Sequence, residues 1–181
     1  LQTLRSGFNL TDAFADMQRI DEELGERVPF AFHEEFGFLT SCPTNTGTGL
    51  RASALIHLPG LVLTKEINKT LAGLQQIGFT YRGLYGEGSE VVGNFFQISN
   101  QMTLGQSEEE IIHKLLQVLI TVIAREQQAR RVLLRDAGSI IEKQLWRAYG
   151  TLRVARRLPY DAALTFVRRV PRPVVFTPAH C

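Results

Sequence analysis

The sequence predicts an α+β fold, an antiparallel β-sheet flanked by α-helices. Strand-like stretches come early, mixed with helical ones, while helical periodicity dominates after residue 107. No glycine fingerprint opens a regular β-α-β alternation, which argues against a doubly wound parallel sheet. The 181 residues suit one domain, and 44% hydrophobic with 21% charged residues is enough to bury a core.

The elements follow in order. Thr11 to Glu26 reads as a helix, with Phe14, Met17, Ile20 and Leu24 on one face, Asn9 or Thr11 as its cap, and Gly25 and Pro29 closing it. An aromatic stretch then becomes strand-like over Phe38 to Ser41. "RASALIHL" alternates, with Ala52, Ala54, Ile56 and Leu58 on one side and Ser53, Leu55 and His57 on the other. Thr64 opens a helix with Ile67, Leu71, Leu74 and Ile77 inward and Gly78 as its C-cap. "FTYRGL" and "NFFQIS" are two further strands, joined by a glycine-rich loop. Ser107 and Glu110 form a capping box at the start of a long helix. Gly138 is expected to break it, and Ser139 with Glu142 to cap a second helix carrying Trp146 and Tyr149 as core residues. A short helix over Tyr160 to Phe166 completes the set.

A net charge of +2 gives no electrostatic case for nucleic acid or a membrane surface. The two cysteines, Cys42 and Cys181, have neither disulfide-framework nor metal-site spacing. No apolar run reaches the roughly 18 residues of a membrane span. Leu1 to Leu4 lacks the basic and apolar regions of a signal peptide. The expectation is a cytoplasmic, reducing compartment.

Two loops carry the candidate chemistry. In "TSCPTNTGTGLRAS", Gly47 and Gly49 let backbone N–H groups approach an anion, and Arg51 follows with a guanidinium suited to phosphate. Thr44 and Asn45 offer donors that stabilise a Cys42 thiolate. The same stretch also reads as a simple turn with an inert cysteine. In "YRGLYGEGSE", Arg82 repeats the arginine-plus-glycine chemistry, and Glu87 is a carboxylate that can pair with a guanidinium; a solvated hairpin loop is the alternative. Together the loops suggest phosphoryl transfer, which works by positioning and charge stabilisation. No P-loop or protein-kinase motif is present.

"LTSCPTNTGTGLRAS", "RGLYGEGSE" and "FQISNQMTLGQSEEEII" resemble the ATP:guanidino phosphotransferases, the creatine and arginine kinases. The wording is closest to their bacterial branch, the protein-arginine kinases, from about Leu1 to about Ala163. The resemblance implies transfer of the ATP γ-phosphoryl group, with Mg²⁺, to a guanidino nitrogen of arginine in a protein. It implies that Cys42, Thr44 and Asn45 lie by the acceptor and that Glu87 orients its guanidinium. It puts Arg51, Ala52, Ser53, Ala54 and Leu55 in one nucleotide-binding segment. Arg82, Gly83, Leu84, Tyr85, Gly86 and Glu87 form the other. His57 is a weaker match to a nucleotide-contacting histidine.

By the same resemblance, the partners are proteins with exposed arginines, a small zinc-binding activator and a degradation machine; a homodimer stays open. The family pattern places a helical domain and an NEEDHxR-type motif before Leu1, so the chain is expected to be a fragment. Residues 1–167 are expected to form the partial catalytic domain and residues 168–181 an irregular tail without the branch's RDxxRA motif. A non-catalytic nucleotide or guanidinium module and a kinase of small guanidino metabolites remain as alternatives. His33, Glu34 and Glu35 read as solvated rather than metal-binding, and Arg125, Glu126, Arg130, Arg131, Arg135 and Asp136 as a solvated helix face. A basic side at Arg147, Arg153, Arg156 and Arg157 could dock an acidic partner.

Overall fold

The computed structural model describes residues 1–83 and 92–159. The expected helix at Tyr160 to Phe166, the tail and the segment Leu84 to Glu87 lie outside the described residues.

Helix α1 (Leu10–Gly25) buries Leu10, Ala13 and Met17, one turn apart along its inner face. Phe14 packs beside them, whereas Ile20 is exposed, so the apolar stripe ends a turn earlier than its spacing predicts. Asn9 stands at the N-cap, but its side-chain amide donates back to the Ser6 carbonyl at 2.9 Å instead of capping. A short hairpin follows, β1 (Phe32–His33) against β2 (Gly37–Phe38), and Phe38 stacks edge-on against Phe30 and Phe32. The expected strand at Phe38 to Ser41 is thus only its first residue. Beyond it the chain turns into a 3-10 turn at Pro43–Asn45, since Pro43 cannot donate to a ladder.

The main sheet is antiparallel and three-stranded, ordered β3 (Ser53–His57), β5 (Phe95–Asn100), β4 (Phe79–Gly83). All three strands match the sequence expectation. Ile98 pairs with Ala54 on one side and Tyr81 on the other. Side chains alternate between the two faces, so this register puts Ala54, Ile56, Phe79, Phe96 and Ile98 together on one face. All five are buried in the core. The other face carries Ser53, Leu55, His57, Thr80, Arg82, Phe95, Gln97 and Ser99.

Two helices link β3 to β4. The first, α2 (Pro59–Leu63), has Pro at its start and Thr64 at its C-cap; α3 (Ile67–Gln76) begins three residues later. The sequence reading opens a single helix at Thr64 and has no helix before it, so it misses α2. Thr64 instead ends α2, its hydroxyl donating to the Gly60 carbonyl at 3.0 Å, and Lys65 breaks the path at φ 62°. Thr70, Leu71 and Leu74 are buried, but Ile77 is exposed.

Helix α4 (Glu108–Val154) starts with the expected capping box: Glu110 N donates to Ser107 Oγ at 3.2 Å and Ser107 N to Glu110 Oε2 at 3.3 Å. Ile111, Leu115, Val118, Leu119 and Val122 recur at helical spacing and close the core. The predicted break is present at Ala137 (φ −138°, ψ 23°), one residue before Gly138, so Glu108–Val154 is two helical stretches joined across a kink, with Ser139 and Glu142 at the start of the second. Trp146 and Tyr149 are exposed rather than core, touching each other edge-on.

The solvated-face reading of Arg125 to Asp136 also needs correction. Glu126 is only 4% exposed. Its carboxylate accepts from Gly60 N at 2.8 Å and Leu61 N at 2.9 Å, capping α2 from another helix. Arg130 Nε donates to the same carboxylate at 2.6 Å. Space there is tight, since a Cβ on Gly60 would sit 2.9 Å from Glu126 Oε1 and 3.1 Å from Arg130 N. Arg135 and Asp136 do form an exposed pair of the expected kind, worth little in water.

Glu126→Ala leaves two buried amides and a half-buried guanidinium without their acceptor. It is expected to destabilise the fold by about 3–5 kcal/mol, read as a lower urea midpoint; an unchanged midpoint would show that the carboxylate bears no part of the fold.

Candidate functional site

The site is built where the chain leaves the β1–β2 hairpin and enters β3. Phe38 N donates to Gly47 O at 2.8 Å, and Gly47 N returns to Phe38 O at 3.3 Å, which closes residues 39–46 into a loop. Gly47 sits at φ 119°, and a Cβ there would lie 2.3 Å from the Thr103 carbonyl oxygen. Gly49, at φ 64°, has nothing within 4 Å of its Cβ position. The first glycine is therefore required by backbone packing and the second by its turn geometry.

Cys42 is exposed at the mouth of this loop. Thr44 Oγ1 lies 3.0 Å from Cys42 Sγ and 3.5 Å from Asn45 Oδ1. Either the thiol or the hydroxyl can donate in the contact to sulfur, but a thiolate can only accept, so ionisation of Cys42 turns the single Thr44 hydrogen to Sγ. That hydrogen bond, helped by the Thr44 backbone amide, holds the Cys42 thiol below its ordinary range, against a small opposing effect of burial. Cys42 therefore carries more thiolate at neutral pH than an ordinary exposed thiol.

Arg51 leaves the loop just before β3 and turns onto the polar face of the sheet, where Nη2 donates to Ser99 Oγ at 3.2 Å. Ser53 accepts from Gln97 Nε2 at 2.9 Å on the same face. Arg82 stands directly opposite Gln97 on β4 and so faces the same way. The register thus brings Arg51, Ser53, Gln97, Ser99 and Arg82 to one surface. Two guanidiniums beside hydroxyl and amide groups form a surface suited to a polyphosphate.

The other predicted positions are less uniform. Ala52 and Ala54 are fully buried on the opposite face, so only their peptide groups could approach a ligand. Leu55 is half-buried on the polar face, and Gly83 is buried at the end of β4. His57 is 2% exposed and stacks on Phe95 with ring centres 4.7 Å apart. Leu84, Tyr85, Gly86 and Glu87 are outside the described residues. His33 stacks on Phe36 in an exposed hairpin, and no group of three metal-ligating side chains occurs among the described residues.

Sequence reasoning missed Asn100. Its Oδ1 accepts from Ala52 N at 2.8 Å, and its Nδ2 donates to Leu50 O at 3.0 Å and Met102 O at 3.1 Å. Arg51 sits between two residues held by this one amide. An asparagine ending a strand carries no signal of that kind until its cross-strand partner is known.

A cavity of about 550 Å³ lies behind the loop, between α1, the hairpin and the start of α4. Asp21 and Glu108 both line it. The Glu108 carboxyl is held above its ordinary range, first by burial and then by the neighbouring Glu109 and Asp21.

With this geometry in place, comparison with known proteins decides the family. A family model, the C-terminal catalytic domain of ATP:guanido phosphotransferase, matches residues 1–129. The chain belongs to the ATP:guanido phosphotransferase family. It is 48% identical over 164 residues to a protein-arginine kinase of Pelotomaculum thermopropionicum, covering 91% of this chain and 46% of that protein. It is 47% identical over 170 residues to one of Clostridium tetani, covering 94% and 50%. The chain thus spans about half the length of these relatives.

Solved guanidino kinases share the fold. A lombricine kinase superposes with TM-score 0.61 at 27% identity, over 68% of this chain and 34% of that one. The duplicated taurocyamine kinase of Schistosoma mansoni, with bound transition-state-analogue components, gives 0.59 at 30%, over 66% and 16%. The expected α+β class and family are both borne out. No helix among the described residues is long and apolar enough to cross a membrane.

Gly47→Ala combines a left-handed φ with a backbone clash. It is expected to cost on the order of 2 kcal/mol or more and to lower the thermal midpoint of unfolding, whereas Gly49→Ala, with open space around it, costs less. Equal losses for the two would contradict the packing argument.

Proposed function

We propose that this chain supplies the phosphate-binding part of a protein-arginine kinase. That enzyme would move the ATP γ-phosphoryl group to a guanidino nitrogen of arginine residues in proteins. The observation that carries this reading is the 48% identity to protein-arginine kinases over 91% of this chain. ATP supplies the transferable group: its terminal P–O bond breaks, a P–N bond forms, and the guanidino nitrogen gives up a proton.

The chain's own residues hold and orient. Arg51 and Arg82 are assigned to the phosphates, with Ser53 and the peptide groups of residues 51–55 beside them. Arginine suits that task because its planar fork pairs with two oxygens and never loses its charge. Mg²⁺ in such sites keeps several waters and is held largely by substrate phosphates. On the acceptor side, Cys42, Thr44 and Asn45 lie on one exposed turn, where a thiolate attracts a guanidinium. Glu87 is assigned to orient that guanidinium from the second loop, aligning the acceptor nitrogen.

The small-metabolite reading has its own support in the lombricine and taurocyamine kinase folds, but at 27% and 30% identity. Incubation of the full-length enzyme with a model protein and free arginine separates the two. Phosphoarginine found in the protein by mass spectrometry supports the proposal; phosphorylation of free arginine alone overturns it.

Arg51→Ala in the full-length enzyme is expected to slow phosphoarginine formation by about 10²–10³-fold, and Arg51→Lys to recover little because it cannot pair with two oxygens. Wild-type rates in Arg51→Ala would remove Arg51 from the site.

A further inference from the structure

Thr103 lies in the connection between β5 and α4, distant in sequence from the Cys42 turn but in contact with it. Its side chain is buried, at 6% exposure. The hydroxyl donates to Thr46 O at 2.8 Å and also approaches Thr44 O at 3.3 Å. Its carbonyl accepts from Thr48 N at 3.1 Å and packs against Gly47. One residue thus grips four of the five loop positions 44–48, all but Asn45. The turn's own bonds are local: Asn45 N to Cys42 O at 2.9 Å and Thr46 N to Pro43 O at 3.3 Å. A single 3-10 turn has poor hydrogen-bond geometry and holds its shape only with outside support.

We propose that Thr103 is a positioning residue for the acceptor side of the site, fixing the Thr44 backbone so that the Thr44 hydroxyl stays on Cys42 Sγ. The chain of contacts runs from the Thr103 hydroxyl, whose one hydrogen goes to the Thr46 carbonyl, to the Thr44 carbonyl beside it at 3.3 Å. From there it passes through the Thr44 side chain to sulfur at 3.0 Å. Thr103 touches neither Cys42 nor a reacting atom, so its action is through Thr44. The inference rests on the kinase reading only for the role given to Cys42. The effect on the thiol itself holds whatever the enzyme acts on.

Removing the Thr103 hydroxyl frees the turn and leaves the thiolate without a fixed donor. Among the described residues, the influences on the Cys42 thiol are the Thr44 hydroxyl, the Thr44 amide and burial, none of them a charged side chain. Loss of the donor therefore moves thiolate formation to higher pH.

The test is the rate of Cys42 alkylation by iodoacetamide against pH, in chain carrying Cys181→Ser. Thr103→Val and Thr44→Val are each expected to shift the profile upward and to slow alkylation at neutral pH on the order of threefold or more. Thr103→Ser keeps the wild-type profile, and the double variant Thr44→Val with Thr103→Val shifts no further than Thr44→Val alone. Circular dichroism reports folding, and Thr103→Ala, which removes the hydroxyl with a smaller side chain, replaces Thr103→Val if that variant unfolds. A folded Thr103→Val or Thr103→Ala with the wild-type profile overturns the proposal, as do additive shifts in the double variant. Failure of the kinase reading would show separately, as absence of phosphoarginine in the full-length enzyme with the thiol profile still shifted.

Discussion

Ile98 stands opposite Ala54 on one side and Tyr81 on the other, and that pairing decides which way every sheet residue of the candidate site faces. β5 is the central strand, so both neighbours inherit its phase. With this register Ser99, Gln97, Ser53 and Arg82 share one face, and Arg51 reaches Ser99 from the loop. A slip of one residue would turn Arg82 into the core and Tyr81 out of it. Burial of Ile98, Ile56, Phe96 and Phe79 on the opposite face opposes such a slip. At about 25 cal/mol per Å² of apolar surface, four such side chains outweigh any single polar contact on the other side. The polar face proposed to hold phosphate is thus specified by the apolar face behind it.

β3 is also pinned at both ends by buried polar side chains. At its entry Asn100 holds the Leu50 carbonyl and the Ala52 amide. At its exit Glu126 holds the amides of Gly60 and Leu61, and Arg130 Nη2 reaches the His57 carbonyl at 3.5 Å. Both anchors are satisfied on several atoms, which makes a buried polar group specifying rather than costly. A phosphate surface works by preorganised charge, and preorganisation needs rigid support beneath the charged residues. Arg51 has that support directly, one residue from each atom that Asn100 holds.

Much of this was legible in the sequence because it is local. Alternation in "RASALIHL" and "NFFQIS" marks β3 and β5, and the Ser107–Glu110 box marks the start of α4. Gly47 and Gly49 next to Cys42 and Arg51 pointed to a ligand loop without any fold knowledge. What escaped is tertiary. Glu126 and Arg130, four apart on a helix, look like an ordinary solvated pair until Gly60 is known to pack on them. Asn100, apart from its bond to Met102 O, and Thr103 act through partners about fifty residues away or more. Pro59–Leu63 is too short to show a period, so it went unseen as a helix. Trp146 and Tyr149 were placed inside by residue type alone, and residue type does not say where a helix runs out of neighbours.

The central claim is that the polar face of the β3–β5–β4 sheet holds phosphate. The direct measurement is amide chemical-shift mapping on nitrogen-15-labelled chain titrated with ADP and Mg²⁺. The account predicts saturating shifts at Arg51, Ser53, Arg82, Gln97 and Ser99, with α3 and the part of α4 beyond Ala129 unmoved. Shifts confined to those helices, or none at Arg51 and Arg82 at saturating nucleotide, would contradict it.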